Sequence, residues 1–251
     1  MKKIVRCLDS ALEFVFPSTI YCISCGSIID KSRPYGICDN CMSLYSFATE
    51  RTCIRCGKPL ADDNRQDICR LCMTKKFSFS KGYSCVRYGL HEKKPLMQLK
   101  YGEKPYVAKF LGKLMAERLA VSNAEFDIIV PVPVHSSKLF TRGYNQAMCL
   151  AQEISESSGK PLADVLIRTR ASRPMSRLNL LDRLENVTGI FALREDAGSL
   201  IAGKNVLLVD DIMTTGSTLE DCTRRLLSGG ACRVETVVFA AGADGKQNKE
   251  D

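Results

Sequence analysis

Hydrophobic residues beyond residue 80 fall into two alternating patterns. Short apolar runs, several of them rich in β-branched residues, indicate strands, and they occupy residues 83–87, 127–132, 164–167, 190–193, 206–209 and 234–239. Between them apolar residues recur at helical spacing, in stripes formed by Val107, Phe110, Leu111, Leu114, Met115 and Leu119, by Ala147, Leu150, Ala151 and Ile154, and by Leu219, Cys222, Leu226 and Leu227. This alternation predicts an α/β fold with a mostly parallel sheet flanked by helices and ligands at the carboxyl ends of its strands.

The first 80 residues follow a different pattern, set by cysteine. Eight of the 13 cysteines form four Cys-x-x-Cys pairs, which are Cys22 and Cys25, Cys38 and Cys41, Cys53 and Cys56, and Cys69 and Cys72. Twelve residues separate the two pairs of each half, so the halves form an internal repeat. The spacing predicts two structural Zn²⁺ sites with four thiolates each, in preference to redox dithiols or an iron–sulfur centre. The repeat favours sequential pairing, while a crossed arrangement stays open.

The change of pattern predicts three parts: residues 1–80 with a short N-terminal helix and a double zinc ribbon, residues 81–242 with the α/β domain, and residues 243–251 as a disordered tail. We expect the cysteine module to depend on its metal and to be separable, so that Cys53→Ser unfolds it while ligand affinity of the α/β domain stays measurable. No run approaches the ~20 apolar residues of a membrane span, and a cytoplasmic location would keep the thiols reduced.

The net charge of the chain gives little further information about its function. The formal net charge is +8, from 36 basic and 28 acidic residues. Eight metal-bound thiolates with two Zn²⁺ ions would contribute a net −4, which lowers the effective charge to about +4. Net charge alone therefore gives a poor reason to expect a polyanionic partner.

The most informative stretch is residues 206–219. Asp210 and Asp211 are expected where a buried strand ends, and a loop of small and hydroxyl-bearing residues then leads to a helix that Ser217 or Thr218 could cap. Gly216 would allow close approach of an anion to the N–H groups of that helix. A lone Asp-Asp pair would fit an ordinary strand–helix junction, but two carboxylates beside a phosphate cradle suit a ribose 5-phosphate. The chain has neither the Gly-Lys-Ser/Thr of a Walker loop nor the glycines of a dinucleotide fingerprint here.

This stretch resembles the binding motif for phosphoribosyl pyrophosphate (PRPP) of type I phosphoribosyltransferases. The resemblance implies a type I phosphoribosyltransferase-like sheet preceded by the small Cys-rich double zinc ribbon, and a PRPP molecule accompanied by Mg²⁺. It assigns the ribose hydroxyls to Asp210 and Asp211. It assigns the 5-phosphate to Thr214, Thr215, Gly216, Ser217 and Thr218.

Further motifs extend the resemblance to the ComF/GntX family over roughly residues 8–241. In chain order they are the four cysteine pairs, Leu99-Lys100-Tyr101-Gly102, Pro131-Val132-Pro133, Arg142-Gly143-Tyr144-Asn145-Gln146, Arg183-x-x-Asn186 and the acidic stretch. The family is linked to DNA uptake and natural competence. The resemblance therefore implies, as partners, single-stranded DNA and the uptake helicase or channel machinery at the inner face of the membrane.

Two cations are further candidates for the pyrophosphate group of PRPP. Arg142 could bind phosphate oxygens in a bidentate manner, and Lys100 could reach the same polyanion, although either could be an ordinary surface cation. His135, Tyr144 and Asn145 are expected to be structural. No residue stands out as a general base.

An arginine-rich segment lies where related enzymes have a mobile loop. It contains Arg168, Arg170, Arg173, Arg177 and Arg183. The segment could close over PRPP, contact single-stranded nucleic acid, or be a solvated basic loop. Met175 occupies a position where family members commonly carry glutamine. Two functions stay open: a phosphoribosyltransferase-like protein of DNA uptake, which would be a glycosyltransferase if active, and a single-stranded nucleic-acid adaptor that senses PRPP without turnover.

Overall fold

The computed structural model describes residues 20–30, 33–49, 51–102, 104–169 and 189–244. The predicted N-terminal helix lies outside these residues. So do Met175, four of the five arginines in the arginine-rich segment, and residues 245–251 of the tail. Within the described part of the chain, no helix has the length and apolar character needed to cross a membrane.

A four-stranded parallel sheet forms the centre of the α/β domain. Its strands are β1 (Lys81–Arg87), β2 (Ile128–Pro131), β5 (Asn205–Met213) and β6 (Arg233–Ala241), in the order β1-β6-β5-β2. The two central strands are the longest and are almost continuously buried, as expected of a parallel sheet covered on both faces. The predicted mostly parallel sheet flanked by helices is therefore confirmed.

Eight helices are described. They are α1 (Asp39–Leu44), α2 (Arg70–Thr74), α3 (Leu90–Tyr101), α4 (Val107–Val121), α5 (Ser136–Arg142), α6 (Gln146–Ser158), α7 (Ala197–Ile201) and α8 (Ser217–Ser228). The apolar stripes predicted for α4 and α6 are buried, and those two helices pack against each other and the sheet.

The acidic pair belongs to β5, so the prediction that the strand ends before it is wrong. Pairing with β2 stops at Val209, but β5 continues to Met213 because β6 runs alongside it as far as Ala241. The carboxyl end of β5 therefore projects beyond β2. This projection places the acidic residues at the open edge where parallel sheets bind ligands.

The segments predicted as strands near residues 164–167 and 190–193 are β3 (Leu166–Arg168) and β4 (Phe191–Leu193). They pair antiparallel with each other in a separate two-stranded sheet. Helix α8 packs against β4. The guanidinium of Arg168 lies 5.6 Å from the centre of the Phe191 ring. Its charge acts on the carboxyl of Asp210, so the start of the arginine-rich segment lies near the acidic end of β5.

The cysteine module covers the outer edge of β1. The backbone N–H of Arg87 donates to the carbonyl of Ser46, the N–H of Ala48 donates to Cys85, and the N–H of Gly82 donates to Arg55, each at 2.8 Å. An exposed edge strand would offer these unpaired groups to other chains. The module thus completes the sheet by backbone hydrogen bonds.

Both halves of the module also share the hydrophobic core of the α/β domain. Ile23 and Ile37 of the first ribbon belong to the same cluster as Leu207 on one face of the sheet. Cys56 and Leu60 of the second ribbon belong to the cluster on the other face. Full burial of a large aliphatic side chain contributes about 1.5–3 kcal/mol, so loss of these contacts would destabilise both parts. We therefore no longer expect the module to unfold independently of the α/β domain.

The beginning of the predicted disordered tail is ordered. Asp244 is buried, and its carboxylate accepts hydrogen bonds from Asn64 Nδ2 at 2.7 Å and from the backbone N–H of Arg70 at 2.9 Å. These two bonds attach the chain beyond β6 to the second ribbon.

Candidate metal centres and ligand site

The eight paired cysteines form two clusters in sequential order. One contains Cys22, Cys25, Cys38 and Cys41, and the other contains Cys53, Cys56, Cys69 and Cys72. Within each cluster all sulfur atoms lie within 4.8 Å of one another. The sequential pairing favoured by the repeat is the arrangement observed, and the crossed one is not.

The sulfur positions fit tetrahedral zinc. Four thiolates at a Zn–S distance of about 2.3 Å would be separated by about 3.8 Å. The Sγ atoms of Cys25 and Cys38 lie 3.7 Å apart, and those of Cys56 and Cys69 lie 3.6 Å apart. Four thiolates saturate each site, so the two clusters are suited to structural zinc.

The two acidic residues of β5 point to opposite faces of the sheet, as successive residues of a strand must. Leu207 and Val209 belong to the core of one face, whereas Val206 and Leu208 belong to the core of the other. Asp211 therefore shares the face of α3. Asp210 shares the opposite face, on which α8 and Arg168 lie.

Asp211 forms an ion pair with Lys100, the cation that could equally have faced solvent. The Lys100 Nζ atom lies 3.0 Å from Asp211 Oδ2, and both side chains are largely buried. Burial opposes the charge of the lysine, but the carboxylates of Asp211 and Asp210 outweigh it, so the pKa of Lys100 is raised. The last turn of α3 thus holds a fixed positive charge at the open edge of the sheet.

Asp210 has a different electrostatic environment. Removal of its carboxyl from water, followed by the negative charge of Asp211, raises the pKa of Asp210 to about 7. The backbone N–H of Asp211 donates to Asp210 Oδ1 at 2.8 Å and partly offsets this shift. The pair therefore combines one carboxylate held by a lysine with one carboxyl group poised to titrate near neutral pH.

The loop after β5 leads directly into α8, but neither Ser217 nor Thr218 caps that helix as predicted. The cap position is Gly216, with φ of +70°, and it has no side chain to cap the first turn. A Cβ atom at Gly216 would lie 2.8 Å from the Phe77 ring, so this position excludes larger residues. Because the N–H groups of the first turn lack intrahelical acceptors, the loop can bind an anion.

A cavity of about 300 Å³ lies next to Lys100. Its lining consists of Lys100, Tyr101, Lys138, Thr141, Arg142 and Tyr144. The Arg142 guanidinium lies 5.1 Å from the centre of the Tyr101 ring. Burial, followed by the nearby charge of Arg142, lowers the pKa of Lys138. Arg142 and Lys100 thus line one cavity, and its charge suits an anionic group.

The remaining motif residues have structural contacts, as expected. The Tyr144 hydroxyl donates to the Leu99 carbonyl at 2.7 Å. Asn145 caps α6 through its Oδ1 atom and donates from Nδ2 to the Val132 carbonyl at 3.0 Å. His135 accepts a hydrogen bond from the Ser137 backbone and caps α5. These contacts hold the cavity wall.

Two cations near the site, Lys138 and Lys58, were not predicted from the sequence. Lys138 lines the cavity from α5, one turn before Arg142. Lys58 comes from the second ribbon, and its Nζ atom donates to the Thr214 carbonyl at 2.8 Å. Helical spacing from Arg142 could have suggested Lys138. Nothing in the sequence pattern relates Lys58 to a loop more than 150 residues away.

Comparison with known proteins identifies two domain families in this chain. Residues 98–251 match the phosphoribosyl transferase domain, and residues 11–73 match the double zinc ribbon domain. The chain belongs to the phosphoribosyltransferase family, in its ComF branch. The ComF resemblance stated from the motifs is thereby confirmed.

Curated relatives cover most of the chain. The DNA utilization protein YhgH of Escherichia coli K12 is 28% identical over 209 residues, which are 80% of this chain and 88% of that protein. Competence protein F of Haemophilus influenzae is 26% identical over 223 residues, which are 85% of this chain and 93% of that protein. Among solved structures, glutamine PRPP amidotransferase of Bacillus subtilis is 22% identical, with a TM-score of 0.39, and the match covers 57% of this chain and 30% of that enzyme.

Proposed function

We propose that this protein binds PRPP with Mg²⁺ at the carboxyl edge of its sheet. The observation that carries the proposal is the common location of the acidic end of β5, the uncapped loop before α8 and a cation-lined cavity. Asp210 and Asp211 would bind the ribose hydroxyls. Residues 214–218 would hold the 5-phosphate, and Lys100 and Arg142 would face the pyrophosphate group.

The donor set is suitable for Mg²⁺. Magnesium is commonly held by one or two carboxylates together with substrate phosphates, and Asp210 and Asp211 supply two carboxyl groups here. When bound, the ion would neutralise charge on the pyrophosphate group. We assign no other side chain to the ion.

The same site would support transfer of the phosphoribosyl group. An acceptor would form a bond to the anomeric carbon of the ribose while the bond to pyrophosphate breaks and the pyrophosphate leaves with its electron pair. Lys100 and Arg142 would stabilise the charge that develops on this leaving group. The wall held by Tyr144 and Asn145 would keep both cations in place during the displacement.

Calorimetric titration of PRPP in the presence of Mg²⁺ tests the proposal. We expect measurable binding by the parent and a loss of about ten- to a hundredfold in Asp211→Asn, because a hydrogen bond to a charged group contributes about 1.5–3 kcal/mol. Asp196→Asn is a matched control, since Asp196 is exposed and does not cap its helix through its side chain. Equal affinities of Asp211→Asn and the parent would refute the assignment.

PRPP affinity is expected to rise between pH 6 and 8. The pKa of Asp210 is raised to about 7, so its carboxylate, the form that best accepts from ribose hydroxyls, becomes populated in this range. The contribution of Asp210 to the free energy of unfolding changes with pH in the opposite direction to PRPP affinity. It is complete below about pH 4 and is lost as the pH rises through the pKa of Asp210 in the folded state. Titrations at three pH values would measure the slope. The slope should decrease in Asp210→Asn, and an identical slope would exclude Asp210 as its source.

A second function is favoured by exposed aromatic residues near the cations. Phe140 on α5 is 92% exposed, and Tyr101 on the cavity wall is 70% exposed. Aromatic rings combined with cations are typical of surfaces that bind single-stranded nucleic acid. Relatives of this chain are named as DNA utilization and competence proteins. We therefore propose that the protein acts in DNA uptake, in the cytoplasm, where the channel or helicase machinery would deliver single strands to this surface.

A further inference from the structure

Lys58 is a buried cation from the second zinc ribbon. The residue is 7% exposed, and its Nζ atom donates to the Thr214 carbonyl at 2.8 Å. Among the described residues it has no carboxylate as an ion-pair partner. An ammonium group has three N–H donors, so Lys58 can hold the Thr214 carbonyl and also donate to an anion on the neighbouring loop.

The position of Lys58 is fixed by the knuckle to which it belongs, that is, the turn containing the Cys53 and Cys56 pair. The Lys58 carbonyl accepts a hydrogen bond from the Cys53 backbone N–H at 2.8 Å. The next carbonyl towards the N-terminus, that of Gly57, accepts from the Ser84 hydroxyl at 2.6 Å. A Cβ atom at Gly57 would lie only 2.3 Å from the Gly82 carbonyl oxygen, so the knuckle packs tightly on β1. The knuckle and the sheet together therefore leave the backbone of Lys58 little freedom.

The segment after the second ribbon holds the other side of the loop. The ring of Phe77 packs against Gly216 and stacks on Phe79, with ring centres 4.7 Å apart. The backbone N–H and the hydroxyl of Ser78 donate to the Glu220 carboxylate in the first turn of α8, at 2.7 and 2.8 Å. The second ribbon and this segment thus contact both the loop and the helix that follows it.

The described residues of the first ribbon make no such contact with this loop. Ser27 occupies the position equivalent to Lys58, since each residue lies five positions after the first cysteine of its knuckle. The Ser27 carbonyl accepts from the Cys22 N–H at 2.8 Å, as the Lys58 carbonyl does from Cys53. Ser27 is exposed. The repeated knuckle geometry is therefore shared, whereas the lysine at the loop is specific to the second ribbon.

We propose that Lys58 is a positioning residue. Through it the second zinc ribbon sets the conformation of residues 214–218, here called the phosphate loop, and favours a phosphate monoester there. This proposal rests on the proposed PRPP site and extends it to a residue of the zinc module. It predicts that Lys58 affects the 5-phosphate end of the ligand and leaves the pyrophosphate end, served by Lys100 and Arg142, unaffected.

The test is calorimetric titration of Lys58→Met with three ligands: PRPP, ribose 5-phosphate and inorganic pyrophosphate. We expect affinity for PRPP and ribose 5-phosphate to fall about ten- to a hundredfold, while pyrophosphate affinity stays at the parent value. Lys58→Arg, which keeps the charge and the donor, should recover part of the loss. Lys76→Met is the matched control, because Lys76 is an exposed lysine of the same module.

Zinc content and melting temperature identify variants that have lost the module. If Lys58→Met loses zinc, Lys58→Gln carries the same test, since it removes the charge and keeps a hydrogen-bond donor on a somewhat shorter side chain. Parent-like affinity for ribose 5-phosphate in a zinc-loaded variant would overturn the proposal, as would an equal loss of pyrophosphate affinity. A parent protein that binds none of the three ligands would refute the PRPP site itself, which is a different result.

Discussion

Cys56→Ser is expected to abolish PRPP binding and to lower the melting temperature of the whole protein. Zinc contributes on the order of 10 kcal/mol or more to a structural site, which is comparable to the total stability of a typical domain. Cys56 belongs to the same hydrophobic cluster as Val206 and Leu208 of β5, and its knuckle holds Lys58 against the phosphate loop. Elemental analysis should show a fall from two zinc ions to about one per chain, accompanied by the loss of binding in calorimetry.

Cys232→Ser provides the control for this experiment, because Cys232 is an exposed cysteine outside both clusters. It should retain two zinc ions and full PRPP affinity. A Cys56→Ser protein that loses one zinc ion and still binds PRPP like the parent would show that the module is separable from the site, in contradiction to the shared core.

Much of the fold follows from periodicity. The run at residues 206–209 and the stripe of Ala147, Leu150, Ala151 and Ile154 predicted a buried strand and an amphipathic helix, both of which are present. The polar end of β5 could not be predicted in this way, since Asp210 and Asp211 interrupt the apolar run. That part of the strand exists because β6 continues beside it, a non-local contact that local pattern does not report.

Helix α3 is a second element that the local hydrophobic pattern did not predict. Its sequence contains Pro95 and few apolar residues, so no stripe indicated a helix before Lys100. Its burial comes from Leu96 and Leu99, which pack into the core beside the first ribbon. Tertiary packing therefore decides a segment whose own hydrophobic pattern is weak.

The candidate site was predictable where its residues are close in sequence. Residues 210–218 form one continuous segment, and a single strand–loop–helix unit brings them together. The approach of Lys100 to Asp211 needed both the ComF motif and the actual path of α3. Lys58 was missed for a physical reason: its contact with Thr214 depends on docking of the second ribbon against the loop, and the sequence of a zinc knuckle contains no information about that docking surface.

Docking against the α/β domain also distinguishes the two halves of the repeat. The two ribbons have the same ligand spacing, but they join cores on opposite faces of the sheet. The second ribbon reaches the α8 side, where the phosphate loop lies. The first ribbon joins the face that carries Lys100 and α4. The two halves of the repeat therefore pack on opposite faces of one sheet, although their ligand spacing is the same.

Affinity for single-stranded DNA is expected to fall steeply with salt and with the loss of Phe140. Each phosphate neutralised contributes a log–log slope of about −0.7, so contacts to Lys100, Lys138 and Arg142 would give about −2, or about twentyfold weaker binding for a fourfold rise in salt. Stacking of a base on an aromatic ring contributes about 1–3 kcal/mol, so Phe140→Ser should weaken binding about five- to a hundredfold at constant salt. Fluorescence anisotropy with a labelled oligonucleotide would measure both quantities. Val121→Ser is the matched control, since Val121 is 80% exposed at the end of α4.

The same titrations, made with both ligands present, distinguish one surface shared by PRPP and DNA from two independent surfaces. Lys100 and Arg142 cannot serve the pyrophosphate of PRPP and the phosphates of DNA at the same time, so added PRPP should release DNA. By linkage, DNA should weaken PRPP by the same factor. Phe140→Ser, whose ring is not part of the cavity wall, should weaken DNA binding while PRPP affinity stays unchanged. DNA affinity that is insensitive to PRPP would rule out the shared cations, and parent-like binding by Phe140→Ser would remove α5 from the DNA surface.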